Sequence, residues 1–193
     1  GQYYNLHNMV LAVAGRITPA EVEAAADKLL KPAPAMLPVS FACDEPDTVA
    51  QQRVEQTMPV AAPLFYLGIK EPAAAVRDAK SLAGAQLLTD LLVGRSSPLY
   101  ARLMEDGLIN EQFEAEYFNG PGFGIWLFTG ESSDPDRVAA AILDEVRRQQ
   151  AAGLEPEAVE IARRAAYGEN VSGLDEASTC AETLLSDWVD GIE

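Results

Sequence analysis

The chain has 193 residues, 48% of them hydrophobic, and carries 30 acidic against 14 basic residues for a formal net charge of −16. That length and apolar content suit one soluble domain with a proper core and argue against disorder, and no apolar run approaches the roughly eighteen residues that span a bilayer. The acidic field repels phosphate backbones and anionic lipid, so neither nucleic acid nor a membrane is expected as a partner; beyond that it reads as a means of solubility.

Taken from the start, Gly1-Gln2-Tyr3-Tyr4-Asn5 lacks the basic and apolar regions of an export signal. The chain enters an apolar run almost at once and ends as abruptly near Trp188, so both ends read as cuts from a longer protein. Residues 9–15, Met-Val-Leu-Ala-Val-Ala-Gly, read as a short buried strand closed by Gly15. Thr18-Pro19-Ala20-Glu21 then combines an N-cap, a proline at the first helical position and a capping-box glutamate. Val22, Ala25, Ala26, Leu29 and Leu30 follow at helical spacing. Pro32, Pro34, Pro38 and Pro46 make residues 31–48 an extended surface connection, acidic over residues 44–47.

Residues 51–70 read as strand. Val54, Met58 and Val60 share one face, Arg53, Glu55 and Thr57 the other, and Pro59 and Pro63 predict an edge or bulge. A helix is expected from Glu71-Pro72 or a few residues later, with Leu87, Leu88, Leu91 and Leu92 as its apolar face and Gly94 as its end. A shorter helix over residues 98–104 stops at Gly107. Phe113, Ala115 and Tyr117 alternate with Glu114 and Glu116. Asn119-Gly120-Pro121-Gly122 is a turn signal, and Phe123, Ile125, Leu127 and Thr129 then alternate with Gly124, Trp126 and Phe128, which predicts an antiparallel hairpin. Asp134-Pro135 opens a helix with Val138, Ala141, Ile142 and Val146 on its face and Gly153 as its cap. Another begins at Glu155-Pro156, runs through Val159, Ala162 and Ala166, and is interrupted at Gly168 and Gly173. A last helix covers residues 176–188. Hairpin and separate helices together predict an α+β fold, a largely antiparallel sheet with helices on one face, and a single domain over residues 1–193.

No complete catalytic site is legible. His7 is the one histidine, so a histidine-based metal cluster cannot form within the chain, and neither H-E-x-x-H nor H-x-x-E-H occurs. Nothing around Cys43, Cys180 or any serine marks a nucleophile. Cys43 and Cys180, far apart and in no motif, read as free thiols of a reducing compartment, with a disulfide between them as the alternative and a cytoplasmic setting expected. Glu114 and Glu116 share a strand face and could serve acid–base work or hold a cation, although a solvated face is the plainer reading. Residues 120–124 are rich in glycine, but Pro121 removes a donor and a strand follows, so they form a turn rather than a phosphate loop. Asn170-Val171-Ser172 fits the glycosylation pattern with no secretory context behind it. No catalytic, cofactor-binding or metal-binding residue is assigned.

Three stretches carry a family resemblance. The first is Tyr4-Asn5-Leu6-His7-Asn8-Met9-Val10-Leu11-Ala12-Val13-Ala14-Gly15 with the Thr18-Pro19-Ala20-Glu21-Val22 helix start. The second is Leu91-Leu92-Val93-Gly94-Arg95-Ser96-Ser97-Pro98-Leu99-Tyr100 with Glu105-Asp106-Gly107-Leu108-Ile109. The third is the Asp134-Pro135 helix with the Gly153-Leu154 to Glu155-Pro156 junction. In order and spacing the chain resembles the insulinase/pitrilysin (M16) zinc peptidases, over nearly its whole length. The resemblance implies one LuxS/MPP-like metallohydrolase domain out of a clam shell of two halves, each made of two related α+β domains. It is similar to the second domain of a half, which holds no zinc.

Zinc is then expected in the parent protein, in an upstream domain, and none in this chain. The implied partners are that zinc domain or the second half of the same protein, and a peptide substrate; apolar surfaces left by cutting the domain from its neighbours would favour a homodimer. Where many members carry a substrate-binding Arg and Tyr, this sequence has Met104 and Asn110, so that role is not carried over. The leading expectation is a non-catalytic domain of an M16-type zinc metalloendopeptidase, forming part of the peptide-enclosing chamber and supporting the zinc domain. The alternative is a domain of a catalytically inactive homologue acting as a structural or peptide-binding subunit, and a third reading is an unrelated α+β binding module.

Overall fold

The computed structural model describes residues 4–35, 46–72, 79–120 and 123–190. In chain order they form α1 (Pro19–Leu29), β1 (Leu64–Glu71), α2 (Ala79–Val93), α3 (Pro98–Glu105), β2 (Glu114–Gly120), β3 (Phe123–Glu131), α4 (Pro135–Ala152), α5 (Pro156–Gly173) and α6 (Ala177–Asp190), with a 3-10 turn at Leu6–Asn8. The chain divides into two compact units, residues 44–166 and residues 1–43 with 167–193.

In the larger unit the three strands form an antiparallel sheet in the order β1-β3-β2. β3 is central, pairing from Leu64↔Glu131 to Glu71↔Gly124 on one side and from Glu114↔Thr129 to Gly120↔Phe123 on the other. The Gly120↔Phe123 pair leaves two residues for the turn, which fits the hairpin expected there; Pro121 and Gly122 themselves lie outside the described residues. Because side chains alternate across a strand, this register puts Phe65, Leu67, Ala115, Tyr117, Trp126 and Phe128 on one face. Phe65 and Phe128 join Leu92, Leu99, Leu103, Val138 and Ile142 in a single core under the helices. Val138 and Ile142 are both 0% exposed, one helical turn apart on α4. Burying a side chain of this size stabilises by about 1.5–3 kcal/mol. Phe113 closes the core from the loop before β2, its ring 6.3 Å from Phe65 and 6.2 Å from Tyr100.

Caps fix where these helices begin and end. Asp134 accepts from the Arg137 N–H at the start of α4, and Pro135 fills the first turn, where its missing donor costs nothing. Gly107 and Gly153 turn the chain after α3 and α4 at φ of 65° and 79°, a region that favours glycine.

In the smaller unit α1 carries a full capping box. The Glu21 N–H donates to Thr18 Oγ1, and the Thr18 N–H and hydroxyl donate to Glu21 Oε2 at 2.8 and 2.7 Å. The Thr18 hydroxyl, then its backbone N–H, hold the Glu21 carboxyl below its ordinary range. No residue of α1 is buried; Val22 and Ala26 are half-buried.

Four expectations are corrected. Residues 9–15 form no strand, and Met9, Leu11 and Val13 are exposed; a strand needs a ladder, and no described residue pairs with this segment. The strand expected over residues 51–70 is confined to Leu64–Glu71. Ahead of it Val54, Met58 and Val60 stand exposed, and Pro59 and Pro63 cannot donate to a ladder. Of the two starts expected for the next helix, only the one at Glu71 is corrected, since Glu71 ends β1; α2 is described from Ala79, and residues 73–78 lie outside the described residues. Gly168 does not interrupt α5, which runs through to Gly173, since one interior glycine costs a helix only about 1 kcal/mol.

Candidate functional site

No catalytic motif marks a site, but the fold leaves backbone and polar side chains accessible together at one strand edge. That place is the outer edge of β2. The strand pairs with β3 on one side only among the described residues, and an edge strand presents unpaired N–H and C=O groups. Alongside it lies a cleft of about 390 Å³ between the C-terminal end of α2, α3 and the sheet, lined among others by Asp90, Arg95, Tyr100, Glu114 and Glu116.

Local sequence builds the cleft's far wall. α2 ends as the Gly94 N–H donates to Asp90 O at 2.9 Å, and the Ser97 N–H donates to Gly94 O at 2.7 Å. Ser97 then restarts the helix: its side chain accepts from the Tyr100 N–H at 3.1 Å, with Pro98 in the first turn. The Gly-Arg-Ser-Ser-Pro-Leu-Tyr stretch is therefore a helix stop and restart that sets Arg95 and Tyr100 at the cleft. Behind it Thr89, 1% exposed, satisfies its hydroxyl by donating to Ala85 O at 3.0 Å.

The two glutamates noted in the sequence line this cleft from the strand face opposite that of Ala115 and Tyr117. Glu114 and Glu116 are both exposed, and across the ladder they face Thr129 and Leu127, neither of them a cation. Tyr117 points the opposite way. Its phenol donates to Glu71 Oε2 at 2.5 Å and its ring lies 4.8 Å from Trp126. Burial first, then the Glu71 hydrogen bond and charge, push its ionisation far upward, so it stays a neutral donor.

The other residues considered in the sequence do not converge on this cleft. His7 is exposed in its 3-10 turn. The Cys180 thiol donates to Leu174 O at 3.2 Å, and Cys43 lies outside the described residues. Met104 packs against the core, and the Asn110 amide donates to Glu131 Oε2 at 2.8 Å. Asn170 lies within α5. Among the described residues no group of three His, Cys, Asp or Glu is placed to hold a metal ion, and no helix is long and apolar enough to cross a membrane.

A family model described as the Peptidase M16 inactive domain matches residues 1–166. The chain belongs to that family. A curated relative, the uncharacterized zinc protease YmfH of Bacillus subtilis (strain 168), is 29% identical over 136 residues, 68% of this chain and 31% of the relative. Among solved structures, an M16-like peptidase from Alicyclobacillus acidocaldarius is 26% identical over 68% of this chain and 32% of its own, with a TM-score of 0.62. Pitrilysin is more distant, at 19% identity over half of this chain and a TM-score of 0.41. The chain thus spans about a third of the length of the first two proteins it matches. The M16 assignment and the α+β architecture expected from the sequence both hold.

Proposed function

We propose that this M16 inactive domain, acting as a single domain over residues 1–193, serves a longer zinc metalloendopeptidase as a non-catalytic part. It forms a share of the wall that encloses the peptide, and it supports a zinc-binding domain present elsewhere in the protein or in its second half. The observation that carries the reading is the outer edge of β2, which no described strand pairs with, beside its cleft. Main-chain groups on a sheet edge hold an extended peptide whatever its sequence, and adjoining pockets take alternate side chains. The zinc protease name of the Bacillus subtilis relative supports placing the metal, and the hydrolysis, in the partner domain. The same proposal puts the protein in the cytoplasm.

The test compares the chain alone with the parent protein that contains it. Purified residues 1–193 are expected to carry zinc far below one equivalent by elemental analysis and to leave peptides intact. The parent is expected to hold zinc and cleave peptides, and to lose cleavage when this domain is deleted. Stoichiometric zinc in the isolated chain, with peptidase activity abolished by a chelator, would overturn the assignment.

A further inference from the structure

We infer that Glu114 and Glu116 make this edge selective for extended peptide segments that carry basic side chains at alternate positions, an inference that rests on the peptide-binding reading above. The two carboxylates sit two residues apart on one strand and so point the same way. Both are exposed, and their neighbours across the ladder on β3 are Thr129 and Leu127. Neither direct cross-strand neighbour is therefore a cation. Among the described residues the cleft beside them is lined by the carboxylates of Asp90, Glu114 and Glu116 and by one guanidinium, that of Arg95.

A strand that adds to the outer edge of β2 brings two of its own alternate side chains opposite Glu114 and Glu116. Lysine or arginine there completes two cross-strand pairs, while glutamate there adds like charge to like. The same acids bear on the competing occupant. A second copy pairing antiparallel along β2 would set carboxylate near carboxylate, which is one of the ways natural sheets protect their edges. The chain's net charge of −16 adds a long-range repulsion against its own copies and an attraction for cationic peptides. Charge thus closes the edge to self-association and leaves it open to a basic strand.

Three synthetic peptides of one β-forming threonine and valine background, with Lys, Gln or Glu at two alternate positions, test this by fluorescence anisotropy on the 1–193 chain. Each cross-strand pair is worth about a 1.4- to fivefold change in affinity. The Lys peptide is therefore expected to bind about two- to twenty-five-fold tighter than the Gln peptide, with the Glu peptide weakest and the ratios shrinking in high salt. In the E114Q/E116Q double variant the Lys-to-Gln ratio should fall to near one, and in E114K/E116K the Glu peptide should become the preferred one, circular dichroism confirming that both variants fold. Equal binding of the Lys and Gln peptides to the wild-type chain overturns the inference, as does a preference that survives the double substitution. If the Gln peptide binds while charge makes no difference, only the selectivity is lost. If none of the three binds, the peptide-binding reading falls with it.

Discussion

Glu145 illustrates what burial adds to an ion pair that looks ordinary in the sequence. Three i,i+3 Arg–carboxylate pairs occur on the described helices, and Arg147–Asp144 lies wholly in the open, 70% and 72% exposed. Such a pair contributes little, because solvent screens it and two long side chains must be ordered. Glu145 is different: its side chain is only 14% exposed. The Arg148 guanidinium hydrogen bond holds its carboxyl below the ordinary range, burial opposing this and the Gln149 amide assisting. A carboxylate whose folded pKa is depressed stabilises the fold at pH values above its unfolded pKa and loses that contribution as pH falls through the folded one. Glu145→Gln is therefore expected to lower stability by about 0.5–1 kcal/mol near neutral pH, and the deficit should vanish near pH 2. Urea unfolding at both pH values checks it. An equal deficit at the two pH values would show that packing rather than charge is responsible.

Elements whose ends are encoded locally were the legible ones. Thr18-Pro19, Ser97-Pro98 and Asp134-Pro135 each place a capping side chain before a proline, and each opens a helix as expected. The hairpin was legible for the same reason, since its turn residues adjoin both strands. Pairing was not: residues 9–15 and 51–63 have strand-like patterns, but a strand exists only where another lies beside it, and that information is not local. The buried face of α2 is offset from the expected one. Ala85, Thr89, Leu92 and Val93 are buried at i, i+4, i+7 and i+8, a regular helical stripe that shares only Leu92 with the leucine face of the sequence and includes an alanine and a threonine that hydropathy alone does not mark. Of the candidate site, the sequence displayed Glu114 and Glu116 on one face, but not that Asp90, Arg95 and Tyr100 come from another part of the chain to meet them. The restart at Ser97 makes that meeting possible, so it is the element to test. Ser97→Ala removes the cap from α3, an eight-residue helix, and should cost about 1 kcal/mol. It should also weaken peptide binding at the β2 edge. Equilibrium unfolding and anisotropy on the same variant separate the two effects; full affinity in a destabilised protein would show that the cleft does not depend on this cap.

At the scale of the whole molecule, the division into two units matters because they hold their cores unequally. The larger unit encloses Phe128, Val138 and Ile142 at 1% exposure or less, with Phe65, Leu99 and Leu103 around them. In the smaller unit α1 has no buried residue, and Leu184, Trp188 and Val189 on α6 are exposed. Amide exchange follows the free energy of opening, which rises with buried apolar contact and falls where hydrogen bonds face solvent. Hydrogen exchange read by mass spectrometry should therefore find peptides from β3 and the middle of α4 protected longest and peptides from α1 and α6 exchanging orders of magnitude sooner. Denaturant titration should show the same order, with α1 and α6 opening at urea concentrations that leave the sheet intact, so that a single two-state free energy does not describe the chain. Attaching the remainder of the parent protein gives the decisive comparison. If the exposed apolar residues of α1 and α6 are surfaces meant for neighbouring chain, their amides should gain protection in the parent while those of β3 and α4 stay as they were. Uniform exchange across both units in the isolated chain would refute the unequal cores and, with them, the reason for expecting that gain.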